Sequence, residues 1–445
     1  MNALTRRSAL RRWLARAMAG LPLAVSLLLA AQSPLGAQSA AAGQHWVGTW
    51  STALVARVPP PPAAPGPPAA GPAPQGRGGR GGRGGGPPLN VNNQTLRQIV
   101  HTSVGGDRVR VVFSNAFGTA PLPIGAAHVA RREKDATLAP GTSRALTFGG
   151  RPGTTIPPGA VAFSDPVELS VPAMADLAVD LYLPGSTESP SPITTHNGAL
   201  QTSYVSAAGN HAGAASLPVA ATTQAWFFLA RVEVLAPTSA GAVVVLGDSI
   251  SDGTASTADT NNRWPNHLAR RLAEANVGLG VLNLGIAGNR VLGDGAGVSA
   301  LARFDRDVLA QTGVTHVVVM EGINDFGIGG AEGPSAADLI AGHQQLIARA
   351  RAAGLKIYAG TLTPFEGTAF PGYYSPENDA KRRALNEWIR TSQAYDGVID
   401  FDAAVRDPMQ PSRLLPAYAA ADNLHLSDAG YQAMARAVDL TMFGR

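Results

Sequence analysis

Val243-Val244-Val245-Leu246, followed at once by Gly247-Asp248-Ser249-Ile250-Ser251-Asp252-Gly253, is the stretch on which the reading of this chain turns. Four consecutive apolar, strand-prone residues without polar alternation describe a strand covered on both faces, as in the parallel sheet of an α/β protein. The Gly-Asp-Ser that follows marks a tight turn at the strand's carboxyl end, which is where such sheets bind ligands. Ser249 then stands with its hydroxyl free to attack. Taken alone, the tripeptide reads more simply as a cap on the next helix, so the assignment needs partners.

Working outward, the same rhythm of apolar strand and amphipathic helix continues to the end of the sequence. Strands are expected near residues 242–246, 279–284, 316–320, 356–361 and 397–401, with Val317-Val318-Val319-Met320 a second continuous apolar run. Helices are expected near 264–275, 299–311, 336–353, 379–394 and 428–441. Residues 242–445 therefore read as a doubly wound α/β domain with a parallel sheet.

Upstream the period changes. Leu96-Arg97-Gln98-Ile99-Val100-His101, Arg108-Val109-Arg110-Val111-Val112-Phe113 and Leu177-Ala178-Val179-Asp180-Leu181-Tyr182-Leu183 alternate or run β-rich, punctuated by Pro157-Pro158-Gly159 and Pro184-Gly185. Short strands with frequent turns and hardly any helical periodicity predict an antiparallel β-sandwich over residues 45–235, joined to the α/β domain by a linker at 236–241. A chain of 445 residues is long enough for two such domains. Within the first, residues 58–88 are Pro, Ala and Gly with the repeat Arg77-Gly78-Gly79-Arg80-Gly81-Gly82-Arg83, a composition expected to stay disordered.

The first 40 residues have the layout of a signal peptide: Arg6, Arg7, Arg11, Arg12 and Arg16 with no acid, a mostly apolar run from Met18 to Ala31, then small residues. Thr5-Arg6-Arg7-Ser8-Ala9-Leu10-Arg11 suits a twin-arginine signal as well as the ordinary secretion route. The apolar run is short for a membrane span, so a secreted or periplasmic protein without a stable anchor is expected. The formal charge of +4 becomes −1 once the five leader arginines are removed, which argues against a nucleic-acid partner. The chain has no cysteine and hence neither disulfides nor a thiolate nucleophile.

A serine nucleophile requires a base within hydrogen-bond reach, and that base an acceptor to fix its tautomer. Asp422-Asn423-Leu424-His425, just ahead of the last helix, supplies both, because a carboxylate three residues before a histidine can curl onto Nδ1 and leave Nε2 for the serine. Donors for an oxyanion are offered after two further strands, by the backbone of Gly288 in Asn283-Leu284-Gly285-Ile286-Ala287-Gly288-Asn289 and by the side chain of Asn324 in Glu321-Gly322-Ile323-Asn324-Asp325. Each segment also has a plain reading as a turn or helix start.

These four segments, in this order, are the blocks of the SGNH (GDSL) hydrolase family, which the stretch from about Ala242 to Phe443 resembles. The resemblance implies a flavodoxin-like fold, Ser249 as nucleophile, His425 and Asp422 as its base pair, and an oxyanion hole of Ser249, Gly288 and Asn324, with no cofactor and no metal. Ser251 stands where many members have threonine, and the second block runs on into Asn289-Arg290-Val291-Leu292. Asn93 to Gln98 and Phe113 to Thr119 are similar to the β-rich extension that precedes the hydrolase domain in a bacterial subgroup.

An α/β-hydrolase is the nearest alternative, but Gly247-Asp248-Ser249-Ile250-Ser251 lacks the final glycine of Gly-x-Ser-x-Gly. For a metal enzyme, His196, His211, His267, His316 and His343 lack ligand spacing; His196 and His211 remain candidates to line the cleft, and Asn261, Asn262, Arg263 and Trp264 either shape the pocket or start a helix. The expected function is ester hydrolysis on short acyl or acetyl esters, of small molecules or polysaccharides. A lipase-type acylhydrolase and a non-catalytic glycan-binding surface protein are the other readings.

Overall fold

The computed structural model describes residues 43–57, 90–188, 190–330 and 332–444. The expected signal peptide at 1–40 and insertion at 58–88 lie outside them.

Five strands form a wholly parallel sheet in the spatial order Leu279–Gly285, Gly241–Gly247, Val314–Met320, Lys356–Gly360, Gly397–Ile399. Every residue of Gly241–Gly247 is buried, as a strand with helices on both faces requires. The first strand in sequence thus lies second in space, and the chain reverses its winding direction beside it. That crossing point leaves a crevice at the carboxyl end of Gly241–Gly247.

The long helices fall close to their expected places, with caps that explain the differences. Trp264–Glu274 starts with Pro265 in its first turn, and Ala336–Ala352 starts with a capping box between Ser335 and Asp338. The helix expected from 379 begins earlier, at Pro376, because Ser375 accepts from Asn378 N at 3.1 Å and proline favours the first helical position. The helix expected at 299–311 widens after Ala300–Phe304 into a π-helical turn, Asp305–Leu309. The last one ends at Ala437, and Asp439 caps a separate 3₁₀ turn, Leu440–Phe443.

Among the described residues, the preceding part has two larger antiparallel sheets beside a three-stranded and a two-stranded one. One holds Gln44–Ser51, Leu229–Pro237, Gly106–Ser114, Val161–Phe163 and Val167–Val171; the other is built around Asn92–His101, Asp176–Ser186 and Ala126–Lys134. Val109, Val111 and Phe113 from the first and Leu177, Val179 and Leu181 from the second share one buried cluster.

The two halves meet closely, and the described residues from Gly43 onward belong to one compact unit. Val47, Ala53, Val55 and Ala236 are buried in the same cluster as the parallel sheet. Strand Leu279–Gly285 is the outer strand of that sheet, and Val281 N on it donates to Ser103 Oγ at 3.0 Å, while Ser103 Oγ donates to Thr49 O at 2.6 Å. Gly48 N donates to Thr312 O at 2.9 Å. Only Thr238, Ser239 and Ala240 separate the last antiparallel strand from the first parallel one, and Ala240 O bonds His45 Nε2 at 2.8 Å.

Candidate active site

Ser249 opens a single-turn helix, Ser249–Asp252, at the carboxyl end of strand Gly241–Gly247. The cap of that helix is Asp248, whose Oδ1 accepts from Ile250 N at 2.9 Å. The capping role is therefore taken by the neighbour, and the Ser249 hydroxyl is left for another partner.

That partner is His425. In the loop before helix Asp428–Ala437, Asn423 adopts φ 52°, a conformation asparagine tolerates, and the loop curls on itself. Asp422 Oδ1 accepts from Leu424 N at 3.1 Å and His425 N at 2.9 Å, and Oδ2 accepts from His425 Nδ1 at 2.7 Å. With Nδ1 committed to the carboxylate, Nε2 is the acceptor, and the Ser249 hydroxyl donates to it at 2.8 Å. Burial pushes the Asp422 carboxyl up, but the hydrogen bond and charge of His425 and the two backbone donors outweigh it and hold the carboxyl well below its ordinary range. Ser249 and His425 are both 6% exposed, and Phe370 stands edge-on to the imidazole with ring centroids 6.2 Å apart.

The two other expected donors follow the strands on either side of Gly241–Gly247. Gly288, at φ 82°, turns the chain after Leu279–Gly285 through a conformation that favours glycine. Among the described residues neither its N–H nor that of Ser249 donates to another protein group. Asn324 lies in helix Ile323–Gly329 after Val314–Met320, and its Nδ2 donates to Asn289 O at 2.9 Å, which brings the amide beside the Gly288 turn. The carboxylate of Asp325 ties that turn to the same helix, accepting from Val291 N at 2.8 Å and Leu292 N at 3.1 Å.

Behind the site, buried Arg303 donates to Gly247 O at 3.0 Å, Leu284 O at 2.6 Å and Asn289 Oδ1 at 2.9 Å, pinning the ends of two strands and the following turn. Glu321, beside it, and Asp248 are fully buried. Burial pushes both carboxyls up, Asp248 to about 7, and the charge of Asp248 raises Glu321 further. The sequence offers no sign of Arg303, because its targets lie on two distant strand ends and the turn after one of them.

The remaining candidates separate. His196 lies against Asp252, with Nε2 3.1 Å from Asp252 Oδ1 and Nδ1 2.7 Å from Ala53 O. Its ring sits 5.5 Å from that of Trp226, and the buried guanidinium of Arg263 lies 5.6 Å from the same indole. His211 lies elsewhere, its ring Nε2 3.2 Å from Ala208 O and its backbone N–H donating to Thr95 Oγ1 on the antiparallel sheet. Trp264 is wholly buried beside Phe401, Asn262 donates to Asp428 Oδ2 at 2.9 Å, and Asn261 O accepts from Arg270, so these three build the loop and core. His267 bonds Arg270 within its own helix, His316 stacks on Tyr358, and His343 is buried against Tyr395.

A serine at the end of a parallel strand, hydrogen-bonded to a histidine that is in turn bonded to an aspartate, is the arrangement by which serine hydrolases are recognised. Comparison with known proteins agrees: residues 245–433 match the model of the GDSL-like Lipase/Acylhydrolase family. This part of the chain is a GDSL-like acylhydrolase domain, and the protein is a hydrolase of ester bonds. Among solved structures, it is similar to a putative lipolytic protein of the G-D-S-L family from Desulfitobacterium hafniense DCB-2, with 20% identity over 44% of this chain and 99% of that one and a TM-score of 0.35. A carbohydrate acetylesterase family member from Sinorhizobium meliloti shows 19% identity over 46% and 100%, with a TM-score of 0.36. The aryl esterase of M. smegmatis shows 15% identity over 44% and 96%, also with a TM-score of 0.36. No curated protein matched the chain.

Proposed function

We propose that this protein is an exported serine esterase that cleaves short acyl or acetyl esters, including those of polysaccharides, through an acyl-enzyme. The observation that carries this reading is the continuous relay from Ser249 Oγ to His425 Nε2 at 2.8 Å and from His425 Nδ1 to Asp422 at 2.7 Å. Export is read from the arginine-rich leader.

In the first half-reaction His425 Nε2 takes the Ser249 proton as Oγ bonds to the ester carbonyl carbon. The N–H groups of Ser249 and Gly288 and the amide of Asn324 receive the negative charge that develops on the carbonyl oxygen. Collapse breaks the bond to the alcohol oxygen, which leaves with the proton held by His425. Water then gives a proton to the same imidazole and attacks the acyl-enzyme, and His425 returns the proton to Ser249 as the acid departs. Asp422 stays ionised throughout and stabilises the transient imidazolium. The nearly buried serine and the aromatic edge of Phe370 beside His425 favour a compact acyl group.

The test is hydrolysis of p-nitrophenyl acetate, butyrate and longer esters, together with acetate release from acetylated xylan, by wild type and Ser249→Ala. Serine-dependent acetate release from xylan identifies a carbohydrate esterase, and activity confined to the synthetic esters a general carboxylesterase. Ser249→Ala is expected to fold normally and lose turnover; unchanged activity overturns the mechanism.

A further inference from the structure

Tyr373 sits in the loop that leads into helix Pro376–Thr391, 7% exposed, with its hydroxyl donating to Asn324 Oδ1 at 2.9 Å. We propose that Tyr373 is a positioning residue for catalysis, whose hydroxyl locks the Asn324 amide in the one orientation that presents an N–H to the oxyanion. The proposal rests on the esterase reading above, with Asn324 as an oxyanion donor.

An asparagine amide has two faces of opposite polarity, and a half-turn about its last bond exchanges them. At Asn324 two partners decide between them. Asn289 O can only accept, so it holds Nδ2 on its own side at 2.9 Å. Tyr373 occupies the other side as a donor and holds Oδ1 there. Nδ2 carries two hydrogens, of which Asn289 takes one and the other is left for a substrate oxygen.

The hydroxyl is suited to this task because it remains a donor: burial, then the negative charge of Asp248, Asp325 and Glu321, pushes its ionisation well above the ordinary range. The ring is held independently of the hydroxyl. It lies over Gly327, where an added Cβ would come within 2.2 Å of it, and it meets Phe365 edge-on at 5.6 Å and Phe370 at 6.1 Å. Phenylalanine at 373 therefore keeps the packing and removes only the lock.

Without the donor, the buried Oδ1 loses its partner and only Asn289 O still holds the amide, so its orientation is less firmly fixed. An oxyanion donor acts chiefly in the transition state, so the loss belongs in kcat rather than KM. For Tyr373→Phe, kcat on p-nitrophenyl acetate is expected to fall about tenfold, the worth of one buried hydrogen bond, with KM changed less than about twofold. In an Asn324→Ala background the same substitution is expected to change kcat no further, because the group it positions is gone. An unaltered kcat in Tyr373→Phe overturns the proposal, as does an equal fall in both backgrounds, which would place the effect outside Asn324. Turnover that does not depend on Ser249 overturns the esterase reading itself and is seen in Ser249→Ala, apart from either result.

Discussion

Two histidine-aspartate pairs meet at the same short turn, Ser249–Asp252, and they differ in what is left for a third group. His425 gives Nδ1 to Asp422 and keeps Nε2 for the Ser249 hydroxyl. His196, whose partner Asp252 lies three residues past that serine, gives Nδ1 to the Ala53 carbonyl and Nε2 to the carboxylate. Both of its ring nitrogens are engaged by protein groups. The first pair is local, three residues apart at the rim of the site, with the Asp422 side chain 22% exposed. The second joins residues 56 apart, across the contact between the antiparallel half and the hydrolase half, with both side chains almost wholly buried. In the mechanism proposed above the same two side chains serve proton transfer in one place and cohesion in the other, and the nitrogen facing Ser249 is what separates the roles.

The comparison can be broken most sharply at Asp422. Asp422→Asn should retain the fold yet lose on the order of a thousandfold or more in kcat, since an amide no longer enforces the tautomer that leaves Nε2 as acceptor. The assay is steady-state hydrolysis of p-nitrophenyl acetate, and activity within a few-fold of wild type would remove Asp422 from the relay.

At His196 the effect should move from rate to stability. His196→Ala leaves the Asp252 carboxylate buried without its partner and is expected to cost about 2–4 kcal/mol in urea unfolding, with kcat far less affected than in Asp422→Asn. Equal stability with a large loss of kcat would mean that the second pair takes part in the chemistry.

The smallest effect is expected in the acid dependence of stability. The Asp422 carboxyl is held below its ordinary 3.8 in the folded chain. Such a group stabilises the fold above that ordinary value, and the contribution is lost as pH falls through the depressed one. The stability difference between wild type and Asp422→Asn should therefore shrink on going from about pH 5 to about pH 2, as followed by thermal unfolding. A difference that grows with acid would contradict the depressed carboxyl.

Legibility in the sequence followed distance along the chain. The parallel strands could be read because burial on both faces writes itself as an unbroken run such as Val243 to Leu246. Asp422 and His425 could be paired because they share one loop, and Ser249 because a glycine-rich turn directly follows a strand. His196 was visible only as a histidine in a β-rich region; its bond to Asp252 depends on how two sheets meet. Arg303 lay within an expected helix, and nothing in the sequence around it points to the carbonyls of Gly247 and Leu284. Tyr373 falls in a stretch with neither helical nor strand period, so its reach to Asn324 depends on tertiary packing alone.

The seam between the halves also changes what the antiparallel part does for its neighbour. An outermost strand presents a row of unpaired amides and carbonyls, a template on which another chain can add itself. Here Ser103 takes the Val281 amide, and the strand bearing Gly48 and Thr49 lies against that flank. The cover is tethered at both ends, through Gln44–Ser51 and through Leu229–Pro237, which runs straight into the sheet it shields. An intruding strand must therefore displace a segment of the same molecule, so the β-rich half acts as a built-in guard against edge-to-edge association of the enzyme.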